Sequence, residues 1–262
     1  MQRQLCRPSL IIAAAAAAGS ALLLPGNAAA QSVHNLERGF PVEVQDTAPT
    51  DTGKISLQAA ATNETSESSD RLTLEPSVQW GFAENAHLQI SAPFYVADTP
   101  DARSGSGDVY VGMLYNFLAE GNVTPSLAVL GEAVAPTGIG SSGFDTQLTL
   151  LATKQITTEA SEDRVHFNAI WYHNADAAAD ERDNRFELVL GYSRKVNDKV
   201  VLVLDYFYRQ EQHSGEEMNV MEIGFLYQLS QRNTLGASIG TGIGEESPDF
   251  RMGLSFQTIL GP

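Results

Sequence analysis

"RFELVLGYSRKVNDKVVLVLDYFYRQ", Arg185–Gln210, alternates so regularly that one parity is oily almost throughout. That parity reads Phe186, Leu188, Leu190 and Tyr192, then Val200, Leu202, Leu204, Tyr206 and Tyr208. The other carries Glu187, Gly191, Ser193, Asp205 and Arg209 among Val189, Val201, Val203 and Phe207. A repeat of two belongs to a strand, because successive side chains point to opposite faces. In a soluble sandwich the apolar face would meet a second sheet. In a membrane barrel it would meet lipid, and the other face a wet or packed interior. Keeping the oily residues on one side across the turn requires an odd loop, expected at Val196–Asp198 with Asp198 in the left-handed region.

The rest of the chain decides between these surroundings. After residue 50, strand-like runs recur with turn signals between them, and helical periodicity never appears. They are drawn at 54–62, 71–82, 86–96, 108–118, 125–134, 146–156, 164–173, 185–195, 199–209, 219–229, 234–243 and 250–258. That is about twelve, an even number, with lengths near the roughly 9–11 residues a tilted strand needs to cross hydrocarbon. Connections alternate in kind. "AEN", "VND" and "SQRN" are brief, whereas "DTPDARSGSGD", "PTGIGSSGFD" and "ADAAADERDN" are long and mostly acidic. Short periplasmic turns and long external loops are the asymmetry of outer-membrane barrels. The expected fold is therefore all-β, a single antiparallel up-and-down transmembrane barrel of about 12 strands over residues 51–262.

Residues 1–30 have Arg3 and Arg7 ahead of an apolar run from Leu10 to Leu24, then "NAAA" before Gln31. This is the layout of a secretory signal peptide. Its removal takes away two arginines and no acids, deepening the net charge of −16 to −18. Phosphate recognition needs concentrated positive charge, so nucleic acid is not an expected partner. Cys6 would leave with the signal, and with it any disulfide or thiolate metal site. Residues 31–50 lack a sustained period and are read as a periplasmic or lumen-inserted extension, with Leu36 and Phe40 as its plug or constriction, narrowing the periplasmic mouth.

On the lumen parity the residues expected to set selectivity are Arg71, Glu75, Glu132, Arg164, His166, Glu187, Asp205, Arg209 and Glu222. Charges need water or one another, and a lumen supplies both. Gly112, Gly191, Gly224, Gly236, Gly240 and Gly253 share this parity and would ease bending or leave interior room. His34, His87, His166, His173 and His213 are scattered without zinc spacing, and "GTGIGEES" does not join a strand to a helix. No metal or cofactor is expected.

"GDVYVGMLYNFL" (Gly107–Leu118) and "PSLAVLGEAVAPTG" (Pro125–Gly138) resemble the outer-membrane proteins of the meta-pathway phenol-degradation family, supported by "LERGFPVEVQDTAPT" (Leu36–Thr50), "ENAHLQISAPF" (Glu84–Phe94) and "ATKQI" (Ala152–Ile156). The resemblance implies a barrel that moves small, aromatic or hydrophobic compounds, and it carries no catalytic residues. The expected partners are outer-membrane lipids, lipopolysaccharide, the barrel-assembly machinery and small solutes. Two other readings stand beside the channel. One is a structural or adhesive barrel with a plugged lumen. The other is a barrel enzyme acting on lipid, for which His166, Ser193 and Glu187 would have to meet.

Overall fold

A computed structural model describes residues 35–66, 69–97, 104–139, 141–157 and 162–261. The expected signal peptide, His34 and parts of several loops lie outside these. The described chain forms fourteen strands in one antiparallel sheet: β1 (Ile55–Thr65), β2 (Asp70–Ala83), β3 (Ala86–Ser91), β4 (Phe94–Ala97), β5 (Gly105–Ser106), β6 (Val109–Leu118), β7 (Ser126–Ala135), β8 (Asp145–Gln155), β9 (Arg164–His173), β10 (Asn184–Asn197), β11 (Val200–Gln210), β12 (Glu217–Gln228), β13 (Asn233–Gly242) and β14 (Phe250–Leu260). No helix among the described residues is long and apolar enough to cross a membrane.

β1 pairs with β2 on one side and with β14 on the other, which closes the sheet into a barrel. β3 and β4 both pair with β2 and are two halves of one wall strand. The expected run 86–96 is broken at Ala92–Pro93, where Pro93 has no N–H for a ladder bond. β5 is a two-residue addition to β4. The wall therefore has twelve strands, as the sequence predicts.

The quoted hairpin keeps its oily residues together by a different device from the one expected. Leu188 lies opposite Tyr208, Leu190 opposite Tyr206 and Tyr192 opposite Leu204. The register then slips between Lys195 and Asn197, so the odd residue is a bulge at Val196 and the turn itself is Asp198–Lys199. The only described non-glycine with positive φ is Glu162, so Asp198 is not left-handed. A bulge adds one unpaired residue and restores parity without strain at the tip.

The oily parity faces outward all round the wall. Leu188, Leu190, Met113, Ile223 and Ile239 are exposed although each is large and apolar. Trp80, Phe82, Tyr115, Phe117 and Tyr227 stand near the short-turn end, and Phe94, Phe186 and Phe250 near the long-loop end. Aromatic residues at both ends with an apolar band between them match the pattern of a bilayer-spanning barrel. Exposed apolar surface on this scale has no place in water.

Leu190 sits mid-strand and is 57% exposed. Leu190→Arg is expected to lower the free energy of folding into vesicles by about 2–4 kcal/mol, measured by urea titration of tryptophan emission. A neutral result would refute lipid contact at this face.

Candidate functional site

The interior is not an open pipe. Residues 35–50 enter from the short-turn end and lie buried inside the barrel. Residues 36–46 fold back on themselves: Asp46 N–H donates to Leu36 O at 3.0 Å, and Glu37–Phe40 make a tight turn closed by Phe40 N–H to Glu37 O at 2.8 Å. Gly39 occupies φ +72° in that turn, a conformation that favours glycine.

The hairpin has an oily side and a polar one. Leu36, Phe40, Val42 and Val44 pack against Ile170, Val189, Val201, Val203, Phe207, Val220 and Leu226, the apolar members of the inward parity of β9–β12. The backbone is held by wall side chains. Asn168 grips Gln45 at both ends, accepting from its N–H at 2.9 Å and donating to its carbonyl at 2.8 Å. Val44 N–H donates to Asp205 Oδ2 at 2.8 Å. Lower down, Thr50 N–H donates to His87 Nδ1 at 3.0 Å, and Asn116 donates to Thr47 O at 2.9 Å.

At its tip the hairpin presents Glu43 to three arginines. Arg38 Nε, Arg209 Nη2 and Arg251 Nη2 stand 2.7, 2.8 and 3.1 Å from its oxygens. Arg209 also grips both oxygens of fully buried Glu187, at 2.8 and 3.0 Å, and Tyr172 donates to Glu187 at 2.6 Å. Arg251 continues to Glu222 at 2.6 Å and Glu64 at 3.1 Å. Buried carboxylates are tolerated because each meets a guanidinium.

The wall is recessed where the hairpin lies. A Cβ on Gly191 would meet Val44 at 2.7 Å, and one on Gly224 would meet Pro41 and Val42 at 2.9 Å. Gly236 and Gly253 also back onto Pro41. The room these glycines leave is filled by the hairpin.

Beside the hairpin, along β1–β3, and up to the long-loop end runs a cavity of about 560 Å³. Of the wall residues expected in the lumen, Arg71, Glu75, Glu132 and Arg209 line it. Glu187, Asp205 and Glu222 face inward but hold the arginines and hairpin backbone instead, so the interior at their level is filled. Arg164 lies low, 3.5 Å from Glu162. His166 is buried, with Nε2 2.9 Å from Ser193 Oγ and Nδ1 3.1 Å from Thr153 Oγ1. His166 and Ser193 thus meet as the enzyme reading requires, while Glu187 is engaged by Arg209 and Tyr172. Leu36 and Phe40 reach well inside the barrel, where Phe40 lies beside Ala59 and Ala60 in the middle of β1, rather than narrowing only its mouth. Among the described residues no three histidine, cysteine or acidic side chains gather as a metal site.

Sequence reading missed Arg38, Glu43, Asn168 and Tyr172. Their signal was present in the inward parity of β10–β12, where Val189, Val201, Val203 and Phe207 are too oily for a wet wall and imply something dry against them.

Two hairpin carboxyls have their protonated forms favoured by their surroundings. Burial, then the nearby Asp46, raises Glu37 to about 8. Burial raises Asp46 to about 6 against the pull of the Ala48 and Leu36 N–H groups. Burial also works against Glu43, but Arg209, Arg38 and Arg251 outweigh it and hold that carboxyl well below the usual range.

With Cys6→Ser and a Val44→Cys reporter, Gly191→Val is expected to raise maleimide labelling at least tenfold while the barrel keeps its heat-modifiable mobility; unchanged labelling would refute the glycine recess. Glu37 and Asp46 take up protons on docking, so docking weakens as pH rises from about 4 to above 8. Labelling, normalised to denatured protein at each pH, should therefore be slowest near pH 5 and fastest near pH 9. The Glu37→Gln, Asp46→Asn double variant should flatten that profile. Loss of the Glu43 pairs acts only below the ordinary carboxylate range and leaves this window untouched.

Comparison with known proteins adds the fold's relatives. An outer membrane channel from Pseudomonas putida F1 superposes with a TM-score of 0.64 at 16% identity, over 84% of this chain and 100% of that one. The KdgM porin in complex with disordered oligogalacturonate gives 0.54 at 13% identity, over 78% and 98%. The NanC porin gives 0.54 at 10% identity, over 79% and 99%. At these identities the likeness is one of fold. No curated protein is significantly similar in sequence. Residues 34–258, which include the hairpin and nearly the whole barrel, match one family profile, and the chain belongs to that family, described as MetA-pathway of phenol degradation.

Proposed function

We propose that this protein is a bacterial outer-membrane channel for small solutes whose resting state is closed by the hairpin at residues 36–46. One observation carries the reading: a polar cavity of about 560 Å³ rises from the hairpin toward the long-loop end, within the range of small-molecule sites. A barrel filled solely for strength would have no reason to keep such a chamber. The porin and channel folds that superpose on it support the same reading. Tyr95, Tyr110 and Tyr172 on the chamber wall suit an aromatic solute, and the charged groups beside them favour one that also carries polar groups. The aromatic girdles fit outer-membrane lipid, insertion proceeds through the barrel-assembly machinery, and the acidic loops meet lipopolysaccharide through divalent ions.

In this reading Glu187, Asp205, Glu222 and Arg209 act on transport by retaining the hairpin rather than by filtering ions. The plugged structural barrel is the second reading, favoured by how thoroughly the hairpin is bonded to the wall. Planar-bilayer recording separates the two. Full-length protein should show small, infrequent openings. Deletion of residues 35–46, or Glu43→Gln with Asp205→Asn, should give stable conductance several-fold larger. Folded barrels that stay silent after the deletion would establish the structural reading.

A further inference from the structure

The geometry points to the cavity beside and above the hairpin as a binding station for a small zwitterion carrying both a carboxylate and an ammonium group. The inference rests on the channel reading and deepens it by naming the class of solute.

Arg38, Glu43, Glu64, Arg209 and Arg251 at the cavity are spent on ion pairs. Glu43 takes Arg38, Arg209 and Arg251, and Arg209 and Arg251 go on to Glu187 and Glu222. Among the described residues, six charged side chains at the cavity have no opposite charge within 4.0 Å: Glu37, Arg71, Glu75, Glu132, Arg185 and Glu211. Glu75 of β2 and Glu132 of β7 are acids on the β2–β7 side, and Arg71 stands four residues from Glu75 on the same strand. Arg185 of β10 lies six wall strands from β2 and three from β7.

Each side is built rather than incidental. Glu132 leans over Gly112, where a Cβ would meet its Cγ at 2.6 Å, and it accepts from Gln89 at 2.9 Å. Glu132 is 9% exposed, so its remaining polar surface is directed into the chamber. Tyr95 and Tyr110 line the same acidic wall and offer ring faces that attract an ammonium group. Across the chamber, Arg185 lies over the Tyr172 ring at 4.7 Å, and Arg38 flanks the same ring at 5.8 Å. Stacking leaves the guanidinium edge of Arg185 available, and that edge matches a carboxylate fork.

A solute with one charge meets repulsion somewhere in this chamber. A monoanion drawn to Arg185 lies in a space shared with Glu75 and Glu132. A monocation drawn to those acids lies beside Arg38, which shares a smaller pocket with Glu75. A zwitterion with its carboxylate toward Arg185 and its ammonium toward Glu75 and Glu132 meets an opposite charge at each end. It also leaves the ion pairs that hold the hairpin intact.

The test uses three probes of matched size on full-length refolded protein in detergent at pH 7, followed by isothermal titration: L-phenylalanine, phenylacetate and phenethylamine. Phenylalanine should bind at least tenfold more tightly than either singly charged probe. Arg185→Gln should weaken phenylalanine about tenfold and leave phenethylamine unchanged. Glu132→Gln should weaken phenylalanine and tighten phenylacetate, whose repulsion by that acid is removed. Heat-modifiable mobility checks that each variant is folded. If a singly charged probe matches phenylalanine, if none of the three binds, or if both substitutions are silent, the zwitterion station is wrong. Liposome influx of the same probes reads transport separately: binding without influx would overturn the channel reading alone, and influx without binding would overturn the station alone.

Discussion

A wall bathed in hydrocarbon has no water to satisfy its backbone, so every N–H and C=O in it must find a partner within the protein. β1 meets this constraint by pairing along its whole length with β2 and with β14, from Ile55 opposite Leu260 to Thr65 opposite Phe250. Without that closure two edges would face lipid, and the outward apolar parity would have no continuous surface to occupy. The interruption at Ala92–Pro93 is repaired locally: Ala92 N–H reaches Pro76 O, and Pro93 O accepts from Gly107. The barrel's stiffness permits its interior to be so polar. Inward charges do not have to stabilise the wall; they have only to be reconciled with one another.

That reconciliation runs through the hairpin. Asp205, Glu187 and Glu222 come from three neighbouring strands and would repel one another across a narrow lumen. Arg209 neutralises Glu187, Arg251 neutralises Glu222, Asp205 accepts the Val44 N–H, and Glu43 ties the two arginines together from the hairpin side. The hairpin also gives the inward valines of β11 a dry partner. It is therefore a second core, of opposite sense to the lipid-facing one. The outside of the barrel is oily because its solvent is oily, whereas this interior patch is oily because another part of the chain covers it.

The sequence made the wall legible because lipid enforces a strict period of two over ten or more residues, a signal that each strand carries by itself. β9 is read to the residue, and most other ends fall within one or two positions. What failed to show was non-local. "LERGFPVEVQDTAPT" has no period of its own, since its side chains are sorted by a curved surface built from distant strands. Which charges face the chamber and which are buried under the hairpin depends on that docking, so Glu75 and Glu187 look alike in the sequence and differ in the fold. The bulge at Val196 was hidden for a related reason: parity demands one extra residue but does not say where along the hairpin it is placed.

The glycines at 191, 224, 236 and 253 give the barrel an asymmetry that its strand count conceals. Were the inserted segment to withdraw, β10 and β12–β14 would be left with a shallow gutter floored by peptide backbone, facing the long side chains of β2 and β7. The bore of such a conduit would be fixed by the girth of the departed segment rather than by the circumference of a twelve-stranded cylinder. A relative with the same number of strands but a slimmer insert would be expected to have a correspondingly tighter passage.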